Sequence, residues 1–328
     1  MRRGTHHVPD GNGATMTQAS TPTADTVRRL VRSLLAEGGR AAPGPDVRPV
    51  SESGGHTTWW VGTHHVLRLA PDRDASLRRR RELRLRDLLR PHLPVAVPAS
   101  IAQGEWTTGL AYTLDTRLPG ASAEEQTVSA AGEADLAGLL TGLREVPARQ
   151  AEALGVPGVA PRSLETLRAA ATQAAQHLAA ADEFDPARLG RLTAPAAVQL
   201  AAQAATPVLV HHDLRGEHLI VSADGRVRGV LDWTGAVTGD PAEDIAGLAL
   251  AVGAPAAARA ATLAGYGARP CLRGLWLGRC DTVIRLADRL RGTDDSSLPL
   301  LRTQLRRAWE PILLERVTDL REEADETP

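Results

Sequence analysis

The sequence predicts an α+β protein of two lobes, with strands gathered in the first third and helices filling most of the rest. Three observations predict this. Apolar runs bounded by Gly and Pro, such as Trp59-Trp60-Val61 and Val66-Leu67-Arg68-Leu69, crowd the stretch before residue 118. Ala-rich segments with helical spacing follow, broken by short hairpin-like runs between Val208 and Leu231. At 328 residues the chain is longer than one compact core usually serves. Strands and helices that segregate along the chain define α+β, not an alternating α/β order.

The elements follow in order. Thr23 is placed to cap a helix whose apolar stripe is Val27, Leu30, Val31, Leu34 and Leu35, ended by Gly38-Gly39. Pro43 to Pro49 reads as a breaker-rich connector, and Val50 to Ala70 as strands around a turn at Gly62. Ser51 to Thr58, with Gly54-Gly55, reads as a hairpin turn. Asp74 is the expected cap of a helix reaching about Arg90, after which Pro91, Pro94 and Pro98 impose extended chain. Leu110 to Leu114 is a strand that runs into a hinge, Asp115 to Gly120. Helices are expected over about 129–146, 163–181 and 194–205. Strands return at Val208–Val210, Leu219–Val221 and Val227–Leu231, the last two joined through Asp224-Gly225. Beyond Pro241 the pattern is helical, with Leu275, Leu277, Val283, Ile284, Leu286 and Leu290 as core candidates. This divides the chain into tails at 1–22 and 321–328, an amino-terminal lobe at 23–118 and a carboxy-terminal lobe at 119–320.

Composition narrows the function. A net charge of −1 argues against a strongly basic nucleic-acid binder. No apolar run reaches the roughly 18 residues of a membrane span, and the first 22 residues lack the apolar core of a signal peptide. Cys271 and Cys280 match neither a disulfide scaffold nor a zinc site, so a reducing cytoplasm is the expected setting. All 38 basic side chains are arginine. Any cationic role must therefore fall to a guanidinium.

The chemistry-bearing stretch is His211-His212-Asp213-Leu214-Arg215-Gly216-Glu217-His218, followed by Val230-Leu231-Asp232-Trp233. Phosphoryl transfer needs aligned donor and acceptor and neutralised phosphate charge, and little covalent work from the protein. Asp213 is the candidate to orient an acceptor hydroxyl or take its proton. His218 and Asp232 are candidate metal ligands; a carboxylate suits magnesium better than an imidazole does. Gly54 and Gly55 would let backbone N–H groups approach phosphates, or would simply make a turn. Asp240, before Pro241, has the position of a helix cap, and Asp244 that of a first-turn acid.

In its joint spacing, His211-x-Asp213 with His218, Asp232-Trp233 and Gly239-Asp240-Pro241 resembles the aminoglycoside phosphotransferase family, a branch of the protein-kinase-like fold. The resemblance is clear over Val208 to Ala246 and looser from Gly54 to Leu89. It implies a small β-rich lobe over a larger helical one, ATP or GTP as phosphate donor with Mg2+, and a hydroxylated small molecule as acceptor. Antibiotics are the family's usual acceptors, so resistance or self-protection is implied. Histidine at position 218, where asparagine is commoner, is similar to macrolide phosphotransferases and 2″-aminoglycoside phosphotransferases, many of which use GTP. Arg68 falls where kinases place a phosphate-gripping lysine. Glu82, on the apolar face with Leu85 and Leu89, is its partner, unless it pairs with Arg78, Arg79 or Arg86 at the surface. Arg215 would hold the γ-phosphate or remain a solvated loop residue. Asp115, Thr116 and Arg117 would offer backbone groups to the purine edge. Asp281 and Asp288 would grip a cationic substrate or line a solvated helix face.

Other readings stay open at this stage. Choline, homoserine and fructosamine kinases resemble the same fold. A nucleotide-binding module without catalysis would also carry His218 and lack lysine. Oligomeric state is not legible.

Overall fold

The computed structural model describes residues 22–36, 46–50, 57–201 and 207–313. The glycine pair Gly54-Gly55, the helix stop at Gly38-Gly39 and the tail at 321–328 lie outside them, as does most of the tail at 1–22.

The first lobe starts with α1 (Ala24–Ala36), whose Val27 and Val31 are fully buried. Next come β1 (Val47–Pro49), β2 (Thr58–Val61), β3 (His65–Leu69), α2 (Arg73–Leu89), β4 (Ser100–Thr107) and β5 (Leu110–Thr116). The five strands form one antiparallel sheet in the order β1-β2-β3-β5-β4. Register sets Leu67 against Leu114 and Arg68 against Thr113. The side-chain period of two then sends Leu67 into the Trp59, Val61 and Leu114 core and Arg68 to the opposite face. There α2 lies along β5. Its Leu85 and Leu89 pack into the core of the second lobe, so this helix belongs mechanically to both lobes.

The second lobe opens with β6 (Ala121–Ser122), α3 (Ala130–Glu145), α4 (Ala148–Ala153), α5 (Leu164–Ala180) and α6 (Ala194–Gln199). Then come β7 (Val208–Val210), β8 (Leu219–Val221), β9 (Val227–Val230) and β10 (Val237–Gly239). The strands make two small antiparallel sheets, β6-β8-β9 and β7-β10. α7 (Ala242–Val252), α8 (Ala254–Leu263), α9 (Ala268–Arg291) and α10 (Leu298–Ala308) complete it. One core joins α3, α7 and α8 around Trp233. Another joins α5, α9 and α10 around Trp276 and Trp309.

Several expectations are corrected. Asp72, not Asp74, caps α2: its extended backbone lets its side chain accept the Ala75 N–H at 2.7 Å, and Asp74 sits in the first turn. Strand β4 has no counterpart in the sequence reading because Gln103, Gly104 and Glu105 mask its alternation at a sheet edge. Val47 to Pro49, read as connector, pairs with β2 as the other edge. The 194–205 helix stops at Gln199. The run after Pro241 breaks at Gly253, where φ is 98°, a conformation that favours glycine. Leu290, expected in the core, is exposed.

Candidate active site

The loop after β7 is fixed from below. The buried carboxylate of Asp244, in the first turn of α7, accepts the N–H of His211 on Oδ2 and of His212 on Oδ1, each at 2.8 Å. Burial pushes the Asp244 carboxyl up to about 7, against the pull of those two donors. His212 adopts a left-handed φ of 69°, which reverses the chain just before Asp213. The fully buried His211 ring bonds the Leu231 carbonyl through Nε2 at 2.9 Å, so Nε2 carries the proton and Nδ1 accepts the Asp213 N–H at 3.2 Å. The ring stands edge-on to Trp233, with centroids 4.5 Å apart. Burial drops its pKa to about 4, so it is a neutral strut at physiological pH. The His211 ring therefore sits under the loop that carries Asp213.

Asp213 faces outward. Its Oδ1 forms an ion pair with Arg215 Nε at 2.6 Å, and its backbone carbonyl accepts from His218 Nδ1 at 2.8 Å. A carbonyl only accepts, so Nδ1 carries a proton, and in the neutral ring the lone pair lies on Nε2. His218 Nδ1 also lies 3.5 Å from Asp213 Oδ2.

The opposite wall is a chain of alternating charges. Arg68 bonds Glu82 through Nη1 (3.0 and 3.3 Å) and Asp232 through Nη2 (3.2 Å). Glu82 also accepts from Arg86 and, at 3.3 Å, from the Trp233 N–H. Arg86 passes on to Asp115 at 3.1 Å. Burial works against the Glu82 charge, but Arg68, Arg86 and Arg79 together hold its carboxyl below the usual range. Asp232 is likewise penalised by burial, yet Arg68 and the Thr234 hydroxyl, 2.6 Å away, hold it well below that range. Burial would also strip the Arg68 proton, and Glu82, Asp232 and Asp115 reverse that preference. Asp232 itself takes a left-handed φ of 55° at the end of β9, which aims it back toward Arg68.

Between the walls lies a cavity of about 560 Å³. Trp60, Val66, Leu118, Ile220 and Leu231 give it apolar faces. Arg68, His218 and Asp232 give it a polar end. Arg117 lies 4.4 Å over the Trp60 ring at its rim. Asp115, Thr116 and Arg117 line the same cavity, where two of their backbone N–H groups are already engaged. Strand β5 continues through Thr116, so the Thr116 N–H is spent on Ala99 and the Arg117 N–H on His64, both at 2.8 Å. The Asp115 carboxylate is spent on Arg86 and Thr113.

The sequence reading posed Arg68 and the helix arginines as rival partners for Glu82, and the structure gives it both. Arg86 is buried and structural, and only its offset of four from Glu82 hinted at this. Asp281, offered as a cation grip, is bound by Arg162, which also holds Glu243. Asp288 pairs with Arg291. Asp240, expected as the cap of α7, lies one residue before its N-cap Pro241; its carboxylate accepts the Ala242 N–H at 3.0 Å and Arg273 Nε at 2.6 Å.

Among the described residues no group of three or more His, Cys, Asp or Glu side chains gathers around a metal position. The two expected ligands, His218 and Asp232, are too few to make such a group, and Asp232 is meanwhile held by Arg68 and Thr234. Magnesium commonly takes one or two carboxylates and completes its shell with water and phosphate oxygens. An ionised Asp232 and the free lone pair of His218 Nε2 fit an ion that arrives with a nucleotide, and do not fit a resident all-protein cage.

A β-sheet lobe with a buried cation–carboxylate pair, set over a helical lobe that presents a tethered His-x-Asp loop, defines the kinase-like class of phosphotransferases. The family model described as the phosphotransferase enzyme family, APH, matches residues 46–275, and the chain belongs to that family. The fold is similar to the GDP complex of aminoglycoside 2'-phosphotransferase-IIIa (TM-score 0.61, 17% identity, 86% of this chain and 98% of that one). It is also similar to macrolide 2'-phosphotransferase type I (0.55, 19%, 87% and 98%) and to macrolide 2'-phosphotransferase MphH from Brachybacterium faecium (0.54, 23%, 86% and 98%). In sequence, a 36-residue segment is 50% identical to the uncharacterised protein YcbJ of Bacillus subtilis (strain 168), spanning 11% of this chain and 12% of that protein.

Proposed function

We propose that the protein is a small-molecule kinase that transfers the γ-phosphoryl group of ATP or GTP to a hydroxyl of an antibiotic-like acceptor. The observation that carries this reading is one cavity walled by both lobes, with the Arg68–Asp232 pair on one side and His218 on the other, and Asp213 on the loop beside it. The acceptor oxygen forms a bond to the γ-phosphorus while the bond from that phosphorus to the β–γ bridging oxygen breaks. Nucleoside diphosphate leaves, and the acceptor's proton passes to Asp213 and then to solvent. Asp213 orients the hydroxyl. Arg215, now on Asp213, is placed to exchange that carboxylate for a phosphate oxygen. Arg68 keeps Glu82 through Nη1 and releases Asp232, so Nη2 turns to phosphate. Asp232 and His218 would hold Mg2+, which supplies neutralisation of phosphate charge.

The acceptor is a neutral or weakly charged molecule such as a macrolide or nucleoside, not a polycation. Acids that could have gripped amines are already bound to arginine: Asp281 and Glu243 by Arg162, and Asp240 by Arg273. Arg285 also acts electrostatically on the Asp213–Arg215 pair. Residues 23–118 form the nucleotide lobe and 119–320 the catalytic lobe. The setting is the cytoplasm, which suits the two free, buried cysteines. Among the described residues no helix is long and apolar enough to cross a membrane.

The test is mass spectrometry after incubation with ATP or GTP and a panel of macrolides, nucleosides, aminoglycosides, choline, homoserine and fructosamines. One phosphoryl added to a neutral antibiotic is the expected result. Phosphorylation of a metabolite alone would replace the antibiotic reading. No product and no nucleotide hydrolysis would end the kinase reading.

A further inference from the structure

Arg79 is the unexplained member of the charge chain. It lies three residues before Glu82 and seven before Arg86, on the buried face of α2, and is 8% exposed. Its Nε and Nη1 are buried and have no hydrogen-bond partner. It stands one turn along α2 from Glu82, whose carboxylate holds Arg68, and Arg68 in turn reaches Asp232 at the polar end of the cleft. Burial and the Arg68 charge lower its pKa to about 10, so it remains a cation at neutral pH.

This charge acts on Glu82 only through space, and none of the three carboxylates near it accepts a hydrogen bond from Arg79. Glu82 is taken by Arg68, Arg86 and the Trp233 N–H; Asp232 is taken by Arg68 and Thr234. Asp115 engages Arg86 and Thr113 through Oδ2, and its buried Oδ1 has no partner. An unpaired buried guanidinium disfavours the folded state, and one beside a second guanidinium does so further. Both penalties vanish if an anion from outside sits between the two arginines. Within the chain of charges, Arg68, Arg79 and Arg86 balance Glu82, Asp115 and Asp232. A triphosphate carries more negative charge than one divalent ion cancels, and a cation with free donors answers that excess.

We propose that Arg79 is a second phosphate-binding arginine, sharing with Arg68 the polyphosphate chain of the bound nucleotide. This rests on the cleft being a nucleoside triphosphate site. The competing arrangement is a structural Arg79, bridged by water to Asp115 Oδ1. The two differ in sign. A phosphate ligand leaves the empty protein no less stable when its charge is removed, whereas a structural arginine leaves it weaker.

The experiment uses the full chain, as wild type, Arg79→Met and Arg79→Lys. It pairs calorimetric titration of Mg–ATP, Mg–GTP, adenosine and guanosine with thermal unfolding in the presence and absence of inorganic tripolyphosphate. Loss of charge-assisted contacts predicts about tenfold or greater weakening of the triphosphate in Arg79→Met. Nucleoside binding should be unchanged and the ligand-free melting temperature equal or higher. Tripolyphosphate should raise the melting temperature of wild type more than that of Arg79→Met, and Arg79→Lys should recover part of the lost affinity. Wild-type triphosphate affinity in Arg79→Met, or a lower melting temperature with affinity intact, would overturn the proposal and leave the kinase reading standing. Wild type binding neither triphosphate would overturn both.

Discussion

Glu82→Gln probes the coupling between the lobes. Glu82 is 1% exposed and accepts from Arg68, Arg86 and the Trp233 N–H. Glutamine keeps one carbonyl oxygen and turns an NH2 toward a guanidinium. At least one charge-assisted bond is lost, worth about 1.5–3 kcal/mol. Two cations also lose a carboxylate, although Arg68 retains Asp232 and Arg86 retains Asp115. Full disruption of a buried pair costs roughly 3–5 kcal/mol, and the retained partners hold this substitution to about 2–4. At about 2–4 °C per kcal/mol, the melting temperature should fall by roughly 5–15 °C. Calorimetry measures this directly, and a cycle with Arg68→Met should show a coupling of about 1 kcal/mol or more. A shift below about 1 °C, or additive effects in the cycle, would refute the reasoning, since Glu82 would then not be the hub its contacts describe.

Two further outcomes follow from the loop. The folded-state value of about 7 at Asp244 lies above its ordinary 3.8, so its contribution to stability is complete below that lower value and is lost as pH rises through about 7. Denaturant midpoints should therefore fall between pH 5 and 8 by an amount that Asp244→Asn removes; identical slopes in both proteins would contradict this. Gly216→Ala would set a methyl 2.2 Å from Glu124 Oε1, and Glu124 is anchored by Arg307 at 2.8 Å. That side chain must leave its partner, costing about 1–3 kcal/mol and lowering kcat through the displaced loop. Unchanged turnover and stability would show that the loop absorbs the methyl.

The sequence carries the site better than it carries the sheet. His211, Asp213, His218 and Asp232 are close along the chain or sit at ends of short apolar runs, so their order nearly dictates their neighbourhood. Glu82 was legible because a carboxylate on the face of Leu85 and Leu89 needs a cation, and Arg68 through its resemblance to the position where kinases place a lysine. The remainder depended on burial, which spacing does not encode. Six arginines lie between positions 78 and 86, and no pattern distinguishes buried Arg79 and Arg86 from exposed Arg78 and Arg80. Asp72 and Asp74 are equal candidates for a cap until the backbone turns extended at the first. The edge strand β4 needs only one apolar face, and its polar residues hid it. That the Thr116 and Arg117 N–H groups are taken by Ala99 and His64 was not legible, because nothing in Asp115-Thr116-Arg117 says where β5 stops pairing.

The measurement closest to the central claim is turnover by Asp213→Asn. Asp213 is about one-third exposed, and its carboxylate bonds chiefly Arg215, so folding and nucleotide affinity should stay near wild type. Phosphoryl transfer to the acceptor found in the panel should drop about 100-fold or more, the scale of a lost proton acceptor. Turnover within a fewfold of wild type would contradict the account, because phosphoryl transfer would then proceed without the carboxylate the tethered loop exists to present.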